Sequence, residues 1–338
     1  MPAKKRAKTA RFGIVGYGGA FNMGRGHAGW IRAVPGLEVT AVCDPDESRL
    51  PVARDELGEI ETYTSIDDML KKAPIDNVVI ITPHNTHCPL ALKALRAGKG
   101  VILEKPFCLN IKEATSMIEA ARENGVMLTV FHNRRFDGDF MALKEAVDSG
   151  VIGEVFQVEQ CFGGYGHPGT WWRADKAISG GAFFDWGAHF IDWLLQIVPG
   201  PMVSVTGAFH KRVWLDVTNE DHCEAFVRFK SGCVADVQCS SIAMHNKPKW
   251  RVLGTKGAIV DAGDHFTLYS KVDGYRVEGK IPYKKSTWEK YYENIGDHLL
   301  RGKPLNVLPE QARRVIAIMD LAEKSSKSGK AEPVPYEE

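Results

Sequence analysis

Residues 11–27 read RFGIVGYGGAFNMGRGH, an apolar run that passes directly into a glycine-rich segment. A strand, a glycine turn and a helix in this order let backbone N–H groups and the helix N-terminus face a pyrophosphate. The strict pattern G-x-G-x-x-G fails here because Phe21 occupies the place of the third glycine. We expect Gly24 or Gly26 to take over that role, although glycines that only form a tight turn would give the same pattern.

Asp44 strengthens the nucleotide-binding interpretation. It ends the second predicted strand and follows the glycine segment by about twenty residues, where an acidic side chain can bind both hydroxyls of an adenosine ribose. The same carboxylate would repel a 2′-phosphate. The sequence therefore predicts NAD as the cofactor and favours it over NADP.

Residues 11–135 alternate short β-branched runs with helical stretches, the pattern of a doubly wound parallel sheet. We predict a Rossmann dinucleotide-binding domain over residues 1–134. Its predicted strands are Arg11–Val15, Glu38–Cys43, Asn77–Thr82, Gly100–Leu103 and Met127–Phe131, and its predicted helices are His27–Val34, Ile66–Lys72, Pro89–Ala97 and Ile111–Asn124.

From Glu154 onward the pattern changes to alternating strands separated by turns, which is typical of an open, mainly antiparallel sheet. The fold class is therefore α/β plus α+β, with the second domain over residues 135–338. Its predicted strands are Val155–Cys161, Val203–Phe209, Cys223–Phe229, Cys233–Ser240, Lys249–Leu253, Ala258–Asp261 and Phe266–Ser270, followed by helices at Thr287–Arg301 and Pro309–Ser325.

Composition limits the class of protein further. Hydrophobic residues make up 44% of the 338 residues and charged residues 25%, which indicates a globular protein and excludes a disordered or collagen-like chain. A formal net charge of +1 provides no general field for a nucleic-acid backbone. Seven cysteines without a C-x-x-C pair predict buried, reduced thiols rather than disulfides or a zinc cluster.

Targeting signals are weak. No run reaches the ~18 consecutive apolar residues of a membrane helix, and the N-terminus lacks an apolar signal core, so we expect no membrane partner and a cytoplasmic location. The basic residues Lys4, Lys5, Arg6 and Lys8 can be interpreted as a nuclear-targeting patch. A basic arm in front of the first strand is the favoured interpretation.

Two polar segments follow the third and fourth predicted strands. The first runs from Thr82 to His87, and the second is Glu104-Lys105-Pro106. Both are predicted at the carboxyl ends of parallel strands, where open α/β sheets bind their ligands. His84 and His87 could form a metal pair or simply make a polar loop, and because no third ligand is near in the sequence we predict no metal.

Residues 180–195 form the most informative segment, GGAFFDWGAHFIDWLL. Asp185, His189 and Asp192 are spaced i, i+4 and i+7 and are predicted to share one helix face. Burying three ionisable groups in such an apolar helix is costly without partners, which makes the stripe a candidate site. A core histidine satisfied by the two carboxylates is the alternative.

Together these segments resemble the Gfo/Idh/MocA oxidoreductases, over residues 11–330. The resemblance implies a Rossmann domain, an open antiparallel sheet used for oligomer contacts, and pyridine-nucleotide chemistry on a sugar or polyol. The lengthened glycine loop departs from the family pattern. The motifs that carry the resemblance are the glycine segment, Asp44, Thr82-Pro83 with His87, Glu104-Lys105-Pro106, Asn133-Arg134-Arg135-Phe136, Trp172-Arg173, and the glycine pair before Asp185-x-x-x-His189.

The implied chemistry assigns catalytic roles. Hydride transfer from a hydroxyl-bearing carbon needs a proton acceptor, a cation that stabilises the alkoxide, and a pocket that places the C–H bond against the cofactor. His189 is the predicted acceptor, oriented by Asp185, and Lys105 is predicted to hydrogen-bond the reacting oxygen. An assignment with Lys105 as the acid/base and His189 as a substrate-orienting group remains open.

Further residues are assigned to binding. Aromatic rings offer a sugar an apolar face with polar edges, although core packing explains such residues equally well. Arg173 resembles the family arginine that reaches toward the cofactor from the second domain. The predicted cofactor-binding residues are Gly16, Gly18, Gly19, Phe21, Asn22, Asp44, Arg49, Thr82, His84, His87, Glu104, Lys105, Asn133 and Arg173, and the predicted substrate-binding residues are Lys105, Tyr165, His167, Trp172, Asp185 and His189, with Trp171 as a further candidate.

Three functions are compatible with the resemblance. The leading one is an NAD-dependent dehydrogenase that acts on a CH–OH group of a sugar or an inositol-like cyclic polyol. The second is an NAD-dependent glycoside hydrolase that works by transient oxidation and elimination. The third is a nucleotide-binding regulator without activity, against which the retention of Lys105, Asp185 and His189 argues.

We also expect a homodimer or homotetramer. The second-domain strands carry apolar residues on both alternating sets, for example in residues 203–207 beside residues 225–229. One face of the sheet is therefore expected to pair with another subunit, and closed symmetric assemblies are the common outcome.

Overall fold

The computed structural model describes residues 9–337, so the basic residues Lys4, Lys5, Arg6 and Lys8 lie outside the described range. The chain forms two compact units. The first contains the residues up to His132 together with Glu289–Arg313. The second contains Asn133–Trp288 together with the residues from Arg314 onward. A segment close to the C-terminus therefore returns to the first unit.

Strands and helices alternate along the first half of the chain, and strands predominate in the second half. The strands are β1 (Ala10–Val15), β2 (Leu37–Cys43), β3 (Glu61–Tyr63), β4 (Asn77–Ile80), β5 (Gly100–Leu103), β6 (Leu128–Val130), β7 (Val155–Gly163), β8 (Met202–His210), β9 (His222–Phe229), β10 (Val234–Ser240), β11 (Trp250–Gly254), β12 (Gly257–Asp261), β13 (His265–Val272), β14 (Tyr275–Pro282) and β15 (Glu332–Pro333). The α-helices are α1 (Met23–Arg32), α2 (Arg49–Leu57), α3 (Ile66–Lys72), α4 (His87–Arg96), α5 (Ile111–Asn124), α6 (Gly138–Asp148), α7 (Lys176–Ser179), α8 (Ala182–Asp185), α9 (Gly187–Ile197), α10 (Lys290–Gly296) and α11 (Pro309–Ser328).

The first unit is built on a parallel sheet. Within residues 9–337 this sheet has six strands in the order β3-β2-β1-β4-β5-β6, and each neighbouring pair is parallel. This is the strand order of a dinucleotide-binding Rossmann fold, as the sequence predicts. All four residues of β4 and of β5 are buried, because helices cover both faces of such a sheet.

The sequence prediction of this unit differs from the structure at the helices. Helix α1 begins at Met23 rather than at His27, because the glycines that suggest a loop lie within its first turn. Helix α2 and strand β3 are not predicted. The single helix predicted over Thr287–Arg301 is α10 followed by a π-helical turn at Asp297–Arg301.

The second unit is built on an open sheet. In the described residues it has nine strands in the order β14-β13-β12-β11-β7-β10-β9-β8-β15. All neighbouring pairs are antiparallel except β7 with β10, which is parallel. The prediction of a mainly antiparallel sheet is therefore confirmed, while α6, α7, β14 and β15 are additional to the predicted elements.

The two faces of this sheet differ. Ala225, Val227 and Phe229 are buried, on the face where the side-chain amide of Gln160 donates to the Phe190 carbonyl of α9. The opposite set on β9 is more polar, with Glu224 and Arg228 around a half-exposed Phe226. The expectation that both alternating sets are apolar is wrong, because one set supplies the core beneath the helices and the other is mixed.

Several predictions about side chains can be checked directly. All seven cysteines are buried and carry free thiols, as predicted. Burial raises the pKa of the Cys43 thiol to about 12, helped by the neighbouring Asp44 carboxylate. No helix within residues 9–337 is long and apolar enough to cross a membrane.

Gly207 on β8 provides a test of how α11 packs on the sheet. A Cβ added to Gly207 would lie 2.1 Å from the backbone carbonyl oxygen of Ala322 in α11. We expect Gly207→Ala to lower the free energy of unfolding by about 1–3 kcal/mol, because backbone must move. Gly279→Ala on β14 is the control, since its nearest neighbour would be a side-chain atom at 3.8 Å. Equal urea midpoints for the two variants would contradict this packing.

Candidate cofactor site and polar segments

The glycine loop at residues 16–24 leads from β1 into α1. Gly16 has φ of 97°, and an added Cβ would lie 2.8 Å from the carbonyl oxygen of Ile81, so a side chain is excluded on both grounds. An added Cβ on Gly24 would lie 2.6 Å from the Tyr17 ring, whereas one on Gly26 would make only ordinary contacts. Gly24 therefore takes the role of the close-packing third glycine.

The rest of the loop is open to solvent. Gly18, Gly19, Phe21 and Asn22 are all exposed, and Phe21 keeps 51% of its surface accessible. Asn22 adopts a left-handed backbone, with φ of 50°, directly before the first residue of α1. The exposed loop before α1 therefore leaves room for a phosphate group at the N-terminus of this helix.

Asp44 anchors this loop. Its Oδ2 accepts the Tyr17 N–H at 2.6 Å and its Oδ1 accepts the Asp46 N–H at 2.9 Å. Arg49 donates from Nε to the Tyr17 carbonyl at 2.9 Å, and its guanidinium lies beside Gly19. A carboxylate oxygen can accept more than one hydrogen bond, so Asp44 retains capacity for ribose hydroxyls. The loop, the helix N-terminus and this carboxylate together fit a dinucleotide such as NAD.

The carboxyl ends of β4 and β5 are joined by a histidine. His87 is fully buried, with Nδ1 at 2.8 Å from the Pro106 carbonyl oxygen and Nε2 at 2.9 Å from that of Thr82. Burial lowers the pKa of His87, an effect that these carbonyl contacts oppose. His84 is also buried, with its ring centroid 5.8 Å from that of His87.

A metal site was the alternative interpretation of these two histidines. Across residues 9–337, no group of three or more His, Cys, Asp and Glu side chains is arranged to hold a metal ion. Both ring nitrogens of His87 face carbonyl oxygens instead. His87 therefore ties the segment after β4 to the segment after β5.

Glu104 and Lys105 follow β5. The Glu104 Oε1 lies 3.0 Å from Nε2 of His27 in α1, and Oε2 accepts the backbone N–H of Lys105 at 3.0 Å. Burial raises the pKa of Glu104, but the His27 hydrogen bond and the Lys105 charge outweigh it and lower the pKa overall. Nδ1 of His27 lies 2.6 Å from the Tyr292 hydroxyl. The carboxylate of the Glu-Lys-Pro motif is therefore engaged within the protein.

Asp185 and His189 do not lie on one continuous helix. Asp185 ends the short helix α8, and α9 begins at Gly187 after Trp186. Phe183 fills the space beside this break, since an added Cβ on Gly187 would lie 2.7 Å from its ring. The prediction of one uninterrupted helix face is wrong. His189 itself is buried, with its ring centroid 5.7 Å from the Trp186 ring.

The two carboxylates of the predicted stripe each bind an arginine. Both Asp185 oxygens accept from Nη1 of Arg173, at 2.9 and 3.1 Å. Both Asp192 oxygens accept from Arg135, at 2.9 and 2.6 Å, in an almost fully buried ion pair. The helical spacing predicts His189 as the partner of both acids. Their actual partners are arginines that lie far away in the sequence, so periodicity does not indicate them.

The turn at Asn133–Phe136 supports α9. The Arg134 carbonyl accepts the indole N–H of Trp193 at 2.8 Å. The Arg134 guanidinium lies over the Trp186 ring at 4.8 Å and the Trp288 ring at 5.7 Å. This geometry places the predicted residue Asn133 at the start of a turn that holds the helix carrying His189.

The predicted sugar-facing residues form two groups. Trp171 and Trp172 lie next to each other near the Arg173 guanidinium, with ring centroids 5.4 and 5.2 Å from its central carbon, so they help to hold the Arg173–Asp185 pair. Tyr165 and His167 instead pack against Trp214, with ring centroids at 5.5 and 5.2 Å. Tyr165 remains 48% exposed and can present its ring to a ligand.

Comparison with known proteins gives the family. Residues 10–132 match the model of an oxidoreductase family with an NAD-binding Rossmann fold, and residues 140–260 match the model of the GFO/IDH/MocA C-terminal domain. The chain belongs to the Gfo/Idh/MocA oxidoreductase family, which confirms the resemblance inferred from its motifs. The first unit is accordingly an NAD-binding Rossmann domain.

Individual relatives cover most of the chain at low identity. A scyllo-inositol 2-dehydrogenase (NAD(+)) of Bacillus subtilis is 29% identical, covering 77% of this chain and 74% of the relative. The scyllo-inositol 2-dehydrogenase (NADP(+)) IolW of the same organism is 23% identical, covering 97% and 96%. The crystal structure of an NAD-binding protein from Listeria innocua has a TM-score of 0.85 and 27% identity, covering 97% of each chain.

Asp44 should decide between the two nucleotides. We expect Asp44→Asn to weaken NAD binding by about 10- to 100-fold, the range for losing hydrogen bonds to a charged group. NADP binding should improve, because Arg49 stays beside the loop without a competing carboxylate.

The control for this experiment is Asp46→Asn, which changes an exposed carboxylate on the same loop. Titration of each variant with NAD and NADP, followed by protein fluorescence, gives the two dissociation constants. Wild-type protein that binds NADP at least as tightly as NAD would show that the role assigned to Asp44 is wrong.

Proposed function

We propose that this protein is an NAD-dependent dehydrogenase that transfers a hydride between nicotinamide and a hydroxyl-bearing carbon of an inositol-like cyclic polyol or a sugar. The observation that carries the proposal is the position of Lys105. Its backbone is held by Glu104 at the carboxyl end of β5, on the same edge of the parallel sheet as the glycine loop after β1. Two relatives named as inositol dehydrogenases support the substrate class.

The chemistry divides between cofactor and protein. Bound NAD supplies the hydride acceptor at C4 of the nicotinamide ring. When the C–H bond of the substrate gives up its hydride, the hydroxyl proton must leave so that a ketone forms. We assign that proton to Nε2 of His189 and assign Lys105 to hydrogen-bond the same oxygen as its negative charge develops.

We propose a role for Asp185 that differs from the one expected from the sequence. Because its carboxylate binds the Arg173 guanidinium, it neutralises a cation that lies beside the rings of Trp171 and Trp172. We propose that the Arg173–Asp185 ion pair contacts the nicotinamide end of the cofactor. Tyr165, His167 and Trp172 remain the proposed substrate-contacting residues, because aromatic faces and polar edges suit a polyol.

Single substitutions separate catalytic from structural roles. We expect Lys105→Ala and His189→Ala each to slow hydride transfer by about 10²- to 10⁴-fold while NAD binding changes little, the usual cost of a lost acid/base group. Asp185→Asn should have a smaller effect or an equal one. The measurement is single-turnover NADH formation with scyllo-inositol and myo-inositol, together with the melting temperature of each variant.

Lys112→Ala on the exposed surface of α5 is the control for removing a lysine. A His189 that only satisfies the core would give a different pattern, in which the melting temperature falls and turnover is unchanged. Normal hydride transfer in the Lys105 and His189 variants would contradict the catalytic assignment.

We further propose that the chain assembles as a homodimer or homotetramer through the open face of the nine-stranded sheet. Phe226 on β9 keeps 38% of its surface accessible there. Light scattering at micromolar concentration should give at least twice the 37.4 kDa chain mass, and Phe226→Lys should reduce the measured mass. A species of single-chain mass in the wild type would count against the proposal.

A further inference from the structure

His27, Glu104 and Tyr292 form a buried polar chain in the first unit. His27 belongs to α1, the helix that starts at the glycine loop, and Tyr292 belongs to α10. His27 has no accessible surface, and Tyr292 has none either. Polar groups buried to this degree are costly unless each is paired, so their hydrogen-bond pattern is constrained.

The proton positions follow from the partners. A carboxylate only accepts, so Nε2 of His27 donates to Glu104 across 3.0 Å. Nδ1 of His27 lies 2.6 Å from the Tyr292 hydroxyl, and a neutral imidazole that donates through Nε2 accepts a hydrogen bond at Nδ1. Burial strongly raises the pKa of the Tyr292 hydroxyl. Each ring nitrogen of His27 therefore has one hydrogen-bond partner.

The packing around His27 holds the ring in this orientation. Its centroid lies 4.4 Å from that of Phe131 and 5.7 Å from that of Trp30. Phe131 also contacts Tyr291, at 4.8 Å between ring centroids. The ring therefore has little freedom to seek another partner if one of its two hydrogen bonds is removed.

The series of hydrogen bonds ends at the backbone of Lys105. The second oxygen of Glu104 accepts the Lys105 N–H at 3.0 Å, so the hydrogen bonds run from Tyr292 through His27 and Glu104 to the residue whose side chain we place on the reacting oxygen. The direction of a side chain follows from its backbone. Misplacement of a catalytic group by about 1 Å can cost roughly 10²-fold in rate.

We propose that His27 and Tyr292 are positioning residues, which act through Glu104 to fix Lys105 for hydride transfer. The inference rests on the proposed function, in which Lys105 hydrogen-bonds the substrate oxygen. It also makes α1, which begins at the glycine loop, and Lys105 parts of one hydrogen-bonded assembly. Neither His27 nor Tyr292 needs to touch the substrate for this role.

The first test is Tyr292→Phe, which removes one hydroxyl and leaves the ring. We expect kcat with scyllo-inositol and NAD to fall roughly 10- to 100-fold, while KM for NAD changes by less than about twofold, because orientation of the acting group is lost rather than binding. The deuterium isotope effect on kcat should rise, since the hydride step becomes slower than the other steps.

The control is Tyr291→Phe, which removes the neighbouring buried hydroxyl from the same helix. His27→Gln can still donate to Glu104 and accept from Tyr292, so it should retain more activity than His27→Leu. A purely structural role predicts lower melting temperatures in all these variants with kcat and the isotope effect unchanged. That result would overturn the proposal.

The second test does not depend on activity. Amide hydrogen exchange in short peptides across residues 103–107 reports the Lys105 N–H, and Pro106 contributes no amide of its own. Exchange there should be faster in Tyr292→Phe and unchanged in Tyr291→Phe. If exchange does not respond to Tyr292→Phe, the positioning network is wrong. If exchange responds but Lys105→Ala transfers hydride normally, the network stands and the proposed role of Lys105 fails.

Discussion

The cost of burying a carboxylate is the constraint on which the described sites depend. Asp44, Glu104 and Asp192 are each buried or nearly so, and each must therefore collect donors from the surrounding chain. Asp44 accepts a hydrogen bond from a backbone N–H of the glycine loop, and Glu104 accepts one from the backbone N–H of Lys105. Asp192 accepts hydrogen bonds from a guanidinium in the turn before α6. In each case the donor belongs to a segment with a proposed functional role, so satisfying the acid also fixes the site.

Sequence patterns predict the fold where local chemistry determines the boundaries. Helix α5 is predicted to the residue because the Asn110 side chain caps its first turn and Gly125 adopts a left-handed backbone at its end. The start of α1 is predicted wrongly because a glycine such as Gly24 is typical of a loop. In the structure Gly24 lies in the helix, and a side chain there would collide with the Tyr17 ring. Such a contact joins residues that periodicity does not relate.

The candidate site shows the same division. Asp44, Lys105 and His189 can be identified in the sequence from motifs and strand ends. The side chains and backbone groups that contact them cannot be identified in this way. Asp185 and Asp192 have helical spacing to His189, yet each binds an arginine more than ten residues away in the chain. His27 and Tyr292 are separated by 265 residues, and only the folded chain brings their side chains together. Family membership adds the chemistry, while relatives named for NAD and for NADP leave the choice of nucleotide to Asp44 and Arg49.

In the reaction that we propose, a hydride moves directly from a polyol carbon to NAD. The most direct measurement is mass spectrometry of the dinucleotide after incubation with NAD and ring-deuterated inositols or hexoses. Direct transfer should give NADH with one deuterium on the nicotinamide ring for each ketone formed. Conversion of a substrate without deuterated NADH would contradict it, because a reaction that returns the hydride to its own product leaves no net label in the dinucleotide.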